Sequence, residues 1–519
     1  MSIRNPVLKG FYPDPSICRA GDDYFLVTSS FTYYPGIPLF HSKNLINFKQ
    51  IGHVLTRRSQ LNLNGIHGGI FAPTIRHYNG TFYVITTNVN GGGNFFVKTS
   101  DPFGEWSDPI WVDDNTFDPS LFFDDDGKVY YTRRDFMLNG IVQAEIDLET
   151  GRLFAPPNVI AKGFCSWDVE GPHLYKINGQ YYLMCAEGGT RYGHMETIAR
   201  SKSPWGPFEP CPRNPILTQR HISMANIRHT GHAELIQAHN GSWWMFFLAT
   251  RHNFYEDFTI LGRETFIAPV TWGEDGWPVV NGNRGITPEI NAEMPFPFDN
   301  AEETGGKDHF NCTSLSYEYN FIRNPTGNNW SLNENPGCLR LYCSAPRLSD
   351  IDGVSFVGRR QQDFVFTASA KMAFNFLQEE DEAGICVYTS ESYYYKAGVI
   401  KLNGKNMLFG SKRIGDIDIV NIVKELFSNE VILQINGDEN YYYFSYIDNS
   451  GNRTKIMDGM AKFLCNELAD VFTGNYIGMY ATSNGKISRS YADFDWFEYK
   501  GFPDNRRGLL IQNDYLNMD

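Results

Sequence analysis

The 519-residue sequence has no run of basic residues and carries an excess of acidic ones. Lys and Arg number 45 against 59 Asp and Glu, which gives a formal charge of −14. Because nucleic acids and anionic membranes attract a positive face, we expect neither as a partner. The sequence also lacks any apolar stretch of about 20 residues, the length that crosses a bilayer as a helix. A membrane-spanning chain is therefore not expected.

The nine cysteines form no CxxC pair, and their number is odd. Disulfide frameworks and zinc sites use even or closely paired cysteines, so this pattern favours reduced, buried thiols. The first six residues, Met-Ser-Ile-Arg-Asn-Pro, lack the charged and then apolar region of a secretion signal. Both features predict a cytoplasmic protein.

Helix-type periodicity is almost absent from the first 300 residues, whereas aromatic residues are frequent. The chain holds 29 Tyr, 39 Phe and 10 Trp, which is 15% of all residues. Aromatic side chains favour β-strands and also form platforms for sugar rings. Filling of β-cores accounts for most of them, and a sugar site would need only a few.

One pattern recurs five times in the first 270 residues, at a spacing of roughly 46 to 61 residues, which is about the length of a β-propeller blade. Each copy has a short initial segment, then a Gly-containing turn and an aromatic strand. The copies start at Asp14, Ala72, Asp118, Glu170 and His232. The repeat therefore predicts a five-bladed β-propeller with four strands in each blade.

The repeat stops near residues 287–308, in a polar stretch with several Pro and Gly residues that predicts a linker. Beyond it, short alternating strands such as those at 338–343 and 440–446 indicate an antiparallel β-sandwich. The sequence thus predicts an all-β chain, with the propeller at residues 1–300 and the sandwich at residues 301–519.

Three of the five repeats begin with an acid, and these acids define the candidate catalytic site. Blades meet at a central channel, so Asp14, Asp118 and Glu170, interpreted as equivalent repeat positions, are expected to converge. Glycoside hydrolysis needs one carboxyl group to protonate the leaving oxygen and another to activate water or attack. Crowding and burial should raise the pKa of at least one acid, the candidate general acid. The alternative for each acid alone is a structural turn.

Several motifs, in their order and spacing, carry a family resemblance. They are NPVLKGFYPDPS from Asn5, FDPSL from Phe117, VEGPHLY from Val169, EGGT from Glu187, Gly231-His232, LGRET from Leu261, Gly474 and FDWF from Phe494. Together they resemble glycoside hydrolase family 43, specifically its two-domain β-xylosidases and α-L-arabinofuranosidases, over nearly the whole chain. The sandwich is then expected to be a concanavalin A-like jelly roll.

The resemblance implies a role for each acid. Asp14 corresponds to the general base, Glu170 to the general acid, and Asp118 to the residue that tunes and orients the acid. It also implies hydrolysis with inversion at the anomeric carbon. An inverting site needs its acid and base about 6.5 to 9.5 Å apart, and we expect Asp14 and Glu170 to meet that spacing.

Two further residues match family positions close to the acids. The resemblance implies that Arg263 contacts substrate and the catalytic carboxylates, and a guanidinium can bridge clustered acids in a fixed geometry. A structural salt bridge is the alternative. By the same resemblance, His232 lies beneath the site and can help hold a calcium ion or a water cluster on the propeller axis. Calcium prefers oxygen ligands, so a structural histidine is the alternative, and no cofactor is expected to be required for catalysis.

The resemblance also implies a closed sugar subsite. Its lining residues match Phe31, Phe71, Ala72 and Thr190, with Phe472 of the sandwich closing the pocket. Core packing is the alternative for each Phe. Phe71 stands where many xylosidase relatives have tryptophan, and Thr74 stands where an acid is common, so the second repeat is where we expect sugar preference to be set.

The sequence therefore predicts an exo-acting, inverting enzyme that releases xylose from β-1,4-xylooligosaccharides, arabinofuranose from α-L-arabinofuranosyl-substituted xylooligosaccharides, or both. An endo-arabinanase is the alternative among enzymes, but it would need an open groove. A carbohydrate-binding propeller without catalysis is the alternative outside enzymes, although a binder has no need of an acid and a base. The resemblance also makes a homodimer or homotetramer an expected assembly.

Overall fold

The computed structural model describes residues 2–502 except 115, 223–225, 253–257, 295–296, 299–304, 328 and 449. The chain divides into two compact units. The first comprises Met1–Asp257 and Arg263–Ala301, and the second comprises Phe258–Gly262 and Glu302–Asp519. The first unit thus ends one residue after the expected boundary at residue 300, and residues 258–262 group with the second unit. None of the helices in the described residues has the length and apolar character needed to cross a membrane.

The first unit is built almost entirely of short strands, with one 3-10 turn at Asn281–Asn283. In chain order the strands are β1 (Ser2–Arg4), β2 (Ser16–Ala20), β3 (Asp23–Val27), β4 (Tyr33–Tyr34), β5 (Gly36–Ser42), β6 (Lys49–Leu55), β7 (Gly69–Ile70), β8 (Thr74–Tyr78), β9 (Thr81–Val89), β10 (Gly93–Thr99), β11 (Ile110–Asp113), β12 (Ser120–Phe123), β13 (Val129–Asp135), β14 (Gly140–Glu145), β15 (Asn158–Ala161), β16 (Glu170–Ile177), β17 (Gln180–Glu187), β18 (Met195–Ser201), β19 (Glu209–Pro210), β20 (Ile227–Gln237), β21 (Trp243–Arg251), β22 (Arg263–Trp272), β23 (Pro278–Val280) and β24 (Glu289–Asn291).

All of these strands except β1, β4 and β24 form five antiparallel sheets, which confirms the predicted five-bladed propeller. Blades one, three, four and five have four strands each, ordered β2-β3-β5-β6, β12-β13-β14-β15, β16-β17-β18-β19 and β20-β21-β22-β23. Blade two contains β8-β9-β10-β11 and gains the short strand β7 as a fifth member. The first strands of successive blades are neighbours, and β20 of blade five lies beside β2 of blade one. The starts of these inner strands therefore share the centre of a closed ring.

The ring closes through the N-terminal segment. The side chain of Asn5 donates to the carbonyl of Ile267 at 2.9 Å and accepts from the Ile267 amide at 3.0 Å, and the Tyr12 amide donates to the carbonyl of Arg263 at 3.1 Å. Residues 5–12 thus follow β22 of blade five before the chain enters blade one. Five buried apolar clusters, one at each junction between blades, stabilise the ring.

The second unit contains two antiparallel sheets and forms the predicted β-sandwich. Its strands are β25 (Gly305–Asp308), β26 (Phe321–Ile322), β27 (Trp330–Ser331), β28 (Leu339–Tyr342), β29 (Ser355–Arg360), β30 (Phe366–Asn375), β31 (Glu382–Ser390), β32 (Tyr393–Leu402), β33 (Lys405–Ile414), β34 (Ile417–Leu426), β35 (Glu430–Gly437), β36 (Tyr441–Ile447), β37 (Arg453–Met460), β38 (Tyr476–Thr482) and β39 (Tyr491–Gly501). One sheet has the order β27-β28-β39-β30-β35-β36-β37, with β25 also pairing with β39, and the other has the order β29-β38-β31-β32-β33-β34. A 3-10 turn at Ala461–Leu464 and a short helix at Asn466–Ala469 precede β38.

The linker expected at residues 287–308 lies partly outside the described residues. Its described part includes strand β24, which pairs with β1, and strand β25, which pairs with β39. Both ends of this stretch are thus held in sheets, one in each unit, because antiparallel pairing satisfies their backbone groups.

Candidate active site

The structure brings the three predicted acids together at the centre of the propeller. Asp14 and Asp118 precede the inner strands β2 and β12, and Glu170 begins the inner strand β16. Side-chain atoms of Asp118, Glu170 and His232 lie within 4.8 Å of one another, and Nδ1 of His232 lies 3.6 Å from Oδ1 of Asp14. Asp14 and Asp118 are buried, whereas Glu170 remains partly exposed. The candidate site is therefore one cluster that blades one, three, four and five build jointly.

The interpretation that all three acids occupy the same repeat position is wrong for Glu170. Asp14, Asp118, Gly171 and His232 share a positive φ of 53°, 53°, 55° and 47°, respectively, so Gly171 is the blade-four equivalent of the two aspartates. A Cβ at Gly171 would meet the His232 ring at 3.0 to 3.1 Å, and its amide donates to Oδ2 of Asp118 at 3.1 Å. Glycine fits this conformation and this close approach. Blade four therefore carries its acid one residue earlier.

Asp14 is held as an ionised carboxylate. Nη1 of Arg263 lies 3.0 Å from its Oδ1, and the hydroxyl of Ser29 donates to its Oδ2. Burial by itself would raise the pKa of Asp14, but the Arg263 charge, followed by the influence of His232 and the Ser29 hydrogen bond, more than offsets it and lowers the pKa below its ordinary value. An ionised carboxylate at neutral pH is suited to accept a proton.

The pKa values of Asp118 and Glu170 are raised, in contrast to that of Asp14. Burial, followed by the negative charges of Asp168 and Asp14, raises the pKa of Glu170 from 4.5 to about 7. Burial and the nearby charges of Glu170 and Asp14 also raise the pKa of Asp118 well above its ordinary value. Two carboxyl groups this close do not both ionise readily. The cluster therefore combines a carboxylate at Asp14 with a retained proton on the Asp118–Glu170 pair.

His232 joins this cluster as a neutral imidazole. Burial lowers the pKa of His232. The charge of Arg263 also lowers it, whereas the charge of Asp14 acts in the opposite direction without offsetting the burial. Among the described residues, the one set of side chains able to face a common metal ion is Asp118, Glu170 and His232. Calcium takes six to eight oxygen ligands, whereas this set offers two carboxyl groups with raised pKa values and one nitrogen. These residues do not fit the expected calcium ion.

An arc of four phenylalanine rings lies beside the acids. The centroid of the Phe31 ring is 4.9 Å from that of Phe71, which is 6.0 Å from Phe117, which is 4.9 Å from Phe136. The guanidinium of Arg263 lies 5.6 Å from the Phe31 ring centroid at one end of the arc. Aromatic faces stack on the C–H surfaces of sugars. The arc is thus the candidate platform for substrate.

The remaining subsite residues occupy different surroundings. Thr190 accepts a hydrogen bond of 3.1 Å from Arg263, which connects it to Asp14 through one guanidinium. Ala72 is buried directly after Phe71. Phe472 belongs to the second unit and is 42% exposed, and its expected role in closing the pocket stays a prediction.

Thr74 has a structural contact. It is buried, and its hydroxyl donates to the carbonyl of Pro119, the residue after Asp118, at 3.0 Å. A threonine at this position therefore joins blade two to the backbone beside Asp118. The bond occupies the hydroxyl proton, so Phe71 is the better candidate in this repeat for direct contact with a sugar.

Sequence reasoning missed four residues of the site. Phe117 precedes Asp118 as Phe71 precedes Ala72, so the repeat phase itself could have identified it. Phe136, Arg134 and Asp168 lie outside the repeated segments, and no motif signals them. They join the site only because the turn after β13 and the segment before β16 lie side by side in the ring.

The propeller, the ionised carboxylate beside a pair of acids that retains a proton, and the aromatic arc are the features expected of a glycoside hydrolase. Residues 3–278 match the model of Glycosyl hydrolases family 43, and residues 307–500 match that of the beta xylosidase C-terminal concanavalin A-like domain. The chain belongs to glycosyl hydrolase family 43. The second match also confirms the expected type of sandwich.

Similar proteins cover almost the whole chain. A non-reducing end alpha-L-arabinofuranosidase of Bacteroides ovatus is 42% identical over 96% of this chain and 95% of its own. A xylosidase/arabinosidase of Butyrivibrio fibrisolvens is 41% identical over 95% of this chain and 98% of its own. Among solved structures, a family 43 protein from a Bacteroides ovatus xyloglucan locus superimposes with a TM-score of 0.92 at 41% identity, covering 97% of this chain and all of the other.

Proposed function

We propose that this glycoside hydrolase removes single arabinofuranose or xylose residues from the non-reducing ends of short plant-derived oligosaccharides, with inversion at the anomeric carbon. Two relatives that cover nearly the whole chain support the pair of sugars, since one is named for arabinofuranose alone and the other for both sugars. The observation that carries the proposal is the contrast between Asp14, whose pKa is lowered, and its neighbour Glu170, whose pKa is raised.

The contrast supports the following roles in the two proton transfers. Asp14, ionised and fixed by Arg263 and Ser29, accepts a proton from the attacking water as the water oxygen bonds to the anomeric carbon. Glu170 gives its proton to the glycosidic oxygen as the bond from that oxygen to the anomeric carbon breaks. Asp118, whose own pKa is raised, stays beside Glu170 as the residue that tunes and orients the acid. The products are a free sugar of inverted configuration and the shortened acceptor.

Substituting the two acids on two types of substrate tests these roles. The dinitrophenolate group of a 2,4-dinitrophenyl glycoside leaves without being protonated, whereas the leaving sugar of a natural disaccharide needs a proton from the acid. Glu170→Gln should lose at least about 100-fold in kcat on the disaccharide and retain most activity on the dinitrophenyl substrate. Asp14→Asn should lose activity on both. Full activity of either variant on the disaccharide would contradict the assignment, and proton NMR of the first product formed should show the inverted anomer.

A product panel tests the exo-acting mode and the sugar preference. Xylobiose and arabinofuranosyl-substituted xylotriose should release monosaccharides only. Linear arabinan should yield no oligosaccharides at early times, because those are the products of an endo-acting enzyme. The ratio of kcat/KM values for the two oligosaccharides measures the preference that we assign to the Phe71 position.

We propose a reducing compartment for the enzyme. The nine cysteines, all among the described residues, are free thiols, and six of them are buried. Fractionation of the source cells with an antibody would test this, and detection outside the cytoplasm would contradict it. For the assembly we propose a homodimer or homotetramer, which sedimentation of the purified protein would distinguish from a monomer.

A further inference from the structure

One buried arginine contacts the backbone beside both Asp118 and Glu170. The amide of Arg134, near the end of β13, donates to the carbonyl of Phe117 at 3.2 Å. Its Nη1 donates to the carbonyl of Val169 at 2.6 Å. Phe117 is the residue before Asp118, and Val169 is the residue before Glu170. Arg134 therefore connects blade three to the start of blade four at the point where each supplies its acid.

An ion pair completes this connection. Nη2 of Arg134 lies 2.8 Å from Oδ1 of Asp168, two residues before Glu170. Arg134 is 5% exposed, and the Phe136 and Phe117 rings lie 4.8 and 5.6 Å from its guanidinium. A planar guanidinium with two directed N–H groups fixes two acceptors at once, which an ammonium does not. The rings pack against the guanidinium and limit its movement.

The backbone of Asp168 is also in an uncommon conformation. Its φ is 61°, in the left-handed region that residues other than glycine seldom adopt. Such a conformation persists where neighbouring contacts over-determine it, and it recurs at active sites. Here the contacts of Arg134 with Asp168 and Val169 hold the two residues that lead into Glu170. The direction in which Glu170 leaves the backbone is thus set by this segment.

The pair also acts on the charge state of the acid. After burial, the charge of Asp168 is the largest influence that raises the pKa of Glu170, and the charge of Arg134 opposes it. The other ionisable groups near Glu170 are Asp14, Asp118, Arg263, His232 and the buried Glu196. Arg134 and Asp168 act on the segment that precedes Glu170, whereas Asp118 contacts the residue after it through the Gly171 amide.

We propose that Arg134 and Asp168 are positioning residues for the general acid, which hold Glu170 at a fixed place beside Asp118 so that its proton reaches the leaving oxygen. This inference rests on the proposed function, in which Glu170 is that acid. Neither residue contacts the reacting atoms, and both act through Glu170.

The test compares Arg134→Lys and Asp168→Asn on a disaccharide and on a 2,4-dinitrophenyl glycoside. Arg134→Lys keeps the positive charge but loses the two directed N–H groups that contact Val169 and Asp168. The kcat on the disaccharide should therefore fall by about 10- to 100-fold, the cost of a misplaced catalytic group. KM should change little. The dinitrophenyl substrate does not need the acid, so its kcat should stay within about twofold of the unmodified enzyme. Arg133→Lys is the matched control, because Arg133 is equally buried and ion-paired with Asp113 and Asp135 instead.

The pH profile supplies a readout that a structural role would not move. Activity requires protonated Glu170, so kcat/KM should fall as the pH rises above about 7. Asp168→Asn removes the negative charge of Asp168 and leaves the positive charge of Arg134, so the pKa of Glu170 should fall. The high-pH limb of the kcat/KM profile should therefore move to lower pH. Equal losses on both substrates, or an unmoved limb in Asp168→Asn, would overturn the inference. If Arg134→Lys does not fold, the limb of Asp168→Asn decides.

Glu170→Gln, measured in parallel, distinguishes this inference from the proposed function. If the dinitrophenyl substrate does not rescue Glu170→Gln, the assignment of Glu170 as the acid fails. If it rescues Glu170→Gln but not Arg134→Lys, the acid assignment stands and the positioning role fails.

Discussion

Replacement of Glu170 by Gln should stabilise the folded protein at neutral pH while it removes activity on natural substrates. Burial and the charges of Asp168 and Asp14 raise the pKa of Glu170 from 4.5 to about 7. Its ionisation is therefore easier in the unfolded chain than in the folded one. Below pH 4.5 both states keep the proton, and Glu170 adds no pH-dependent cost. Between pH 4.5 and 7 the unfolded chain releases the proton first, so the free energy of unfolding falls.

The size of this effect follows from the displaced pKa. Each pH unit of displacement is worth about 1.4 kcal/mol, so the cost at pH 8 is about 3 kcal/mol for Glu170 in the folded state. Gln has nearly the same shape and cannot ionise, so it avoids the cost. The gain of Glu170→Gln in unfolding free energy should thus grow from near zero at pH 4 to about 3 kcal/mol at pH 8.

Thermal unfolding of both proteins at half-unit steps from pH 4 to 8 measures this gain. For a unit of this size it corresponds to a rise in Tm of a few degrees, at roughly 2 °C or less per kcal/mol. Asp14→Asn is the contrasting variant, because the pKa of Asp14 is lowered, and it should lower Tm above pH 4. A Tm difference for Glu170→Gln that does not change with pH, or a loss at pH 8, would refute the reasoning.

Three further results are expected. Arg263→Gln should move the low-pH limb of kcat/KM to higher pH, because Arg263 lowers the pKa of Asp14, and Arg263→Lys should move it less; an unmoved limb would contradict this. Thr74→Val should cost about 1 to 2 kcal/mol of unfolding free energy by leaving the Pro119 carbonyl without its donor, whereas Thr74→Ser, the control, should cost less. Dialysis against EDTA should leave kcat unchanged, and a loss restored by added calcium would show that the cluster around His232 binds that ion.

The propeller was predictable because its signal is local and repeated. Each copy combines a Gly-containing turn with an aromatic strand, and both features act within about ten residues of chain. Five copies at one spacing leave few folds other than a ring of blades. The extra strand β7 at Gly69–Ile70 was not predictable in the same way, because two residues carry no pattern of their own.

The site was predictable only where its residues belong to the repeat or to a family motif. Asp14, Asp118 and Glu170 meet that condition, as does Arg263 within its motif. Arg134 and Asp168 do not, since their ion pair depends on how the end of β13 lies against the segment before β16. A sequence does not show which two turns become neighbours in a ring, so contacts between turns are found only in the structure.

The misplacement of Glu170 in the repeat has a physical cause that also explains its chemistry. In four of the five blades the shared repeat position has a positive φ, which Asp14, Asp118 and His232 adopt at the cost of strain. Such a position buries the side chain, and both aspartates there are less than 10% exposed. In blade four Gly171 takes this position, and the acid moves one residue back, where it begins strand β16 and keeps partial exposure. A general acid has to reach a leaving oxygen in the substrate, whereas a group that tunes its pKa does not. The shift by one residue therefore fits the two proposed roles, because it leaves Glu170 partly exposed while Asp118 is buried.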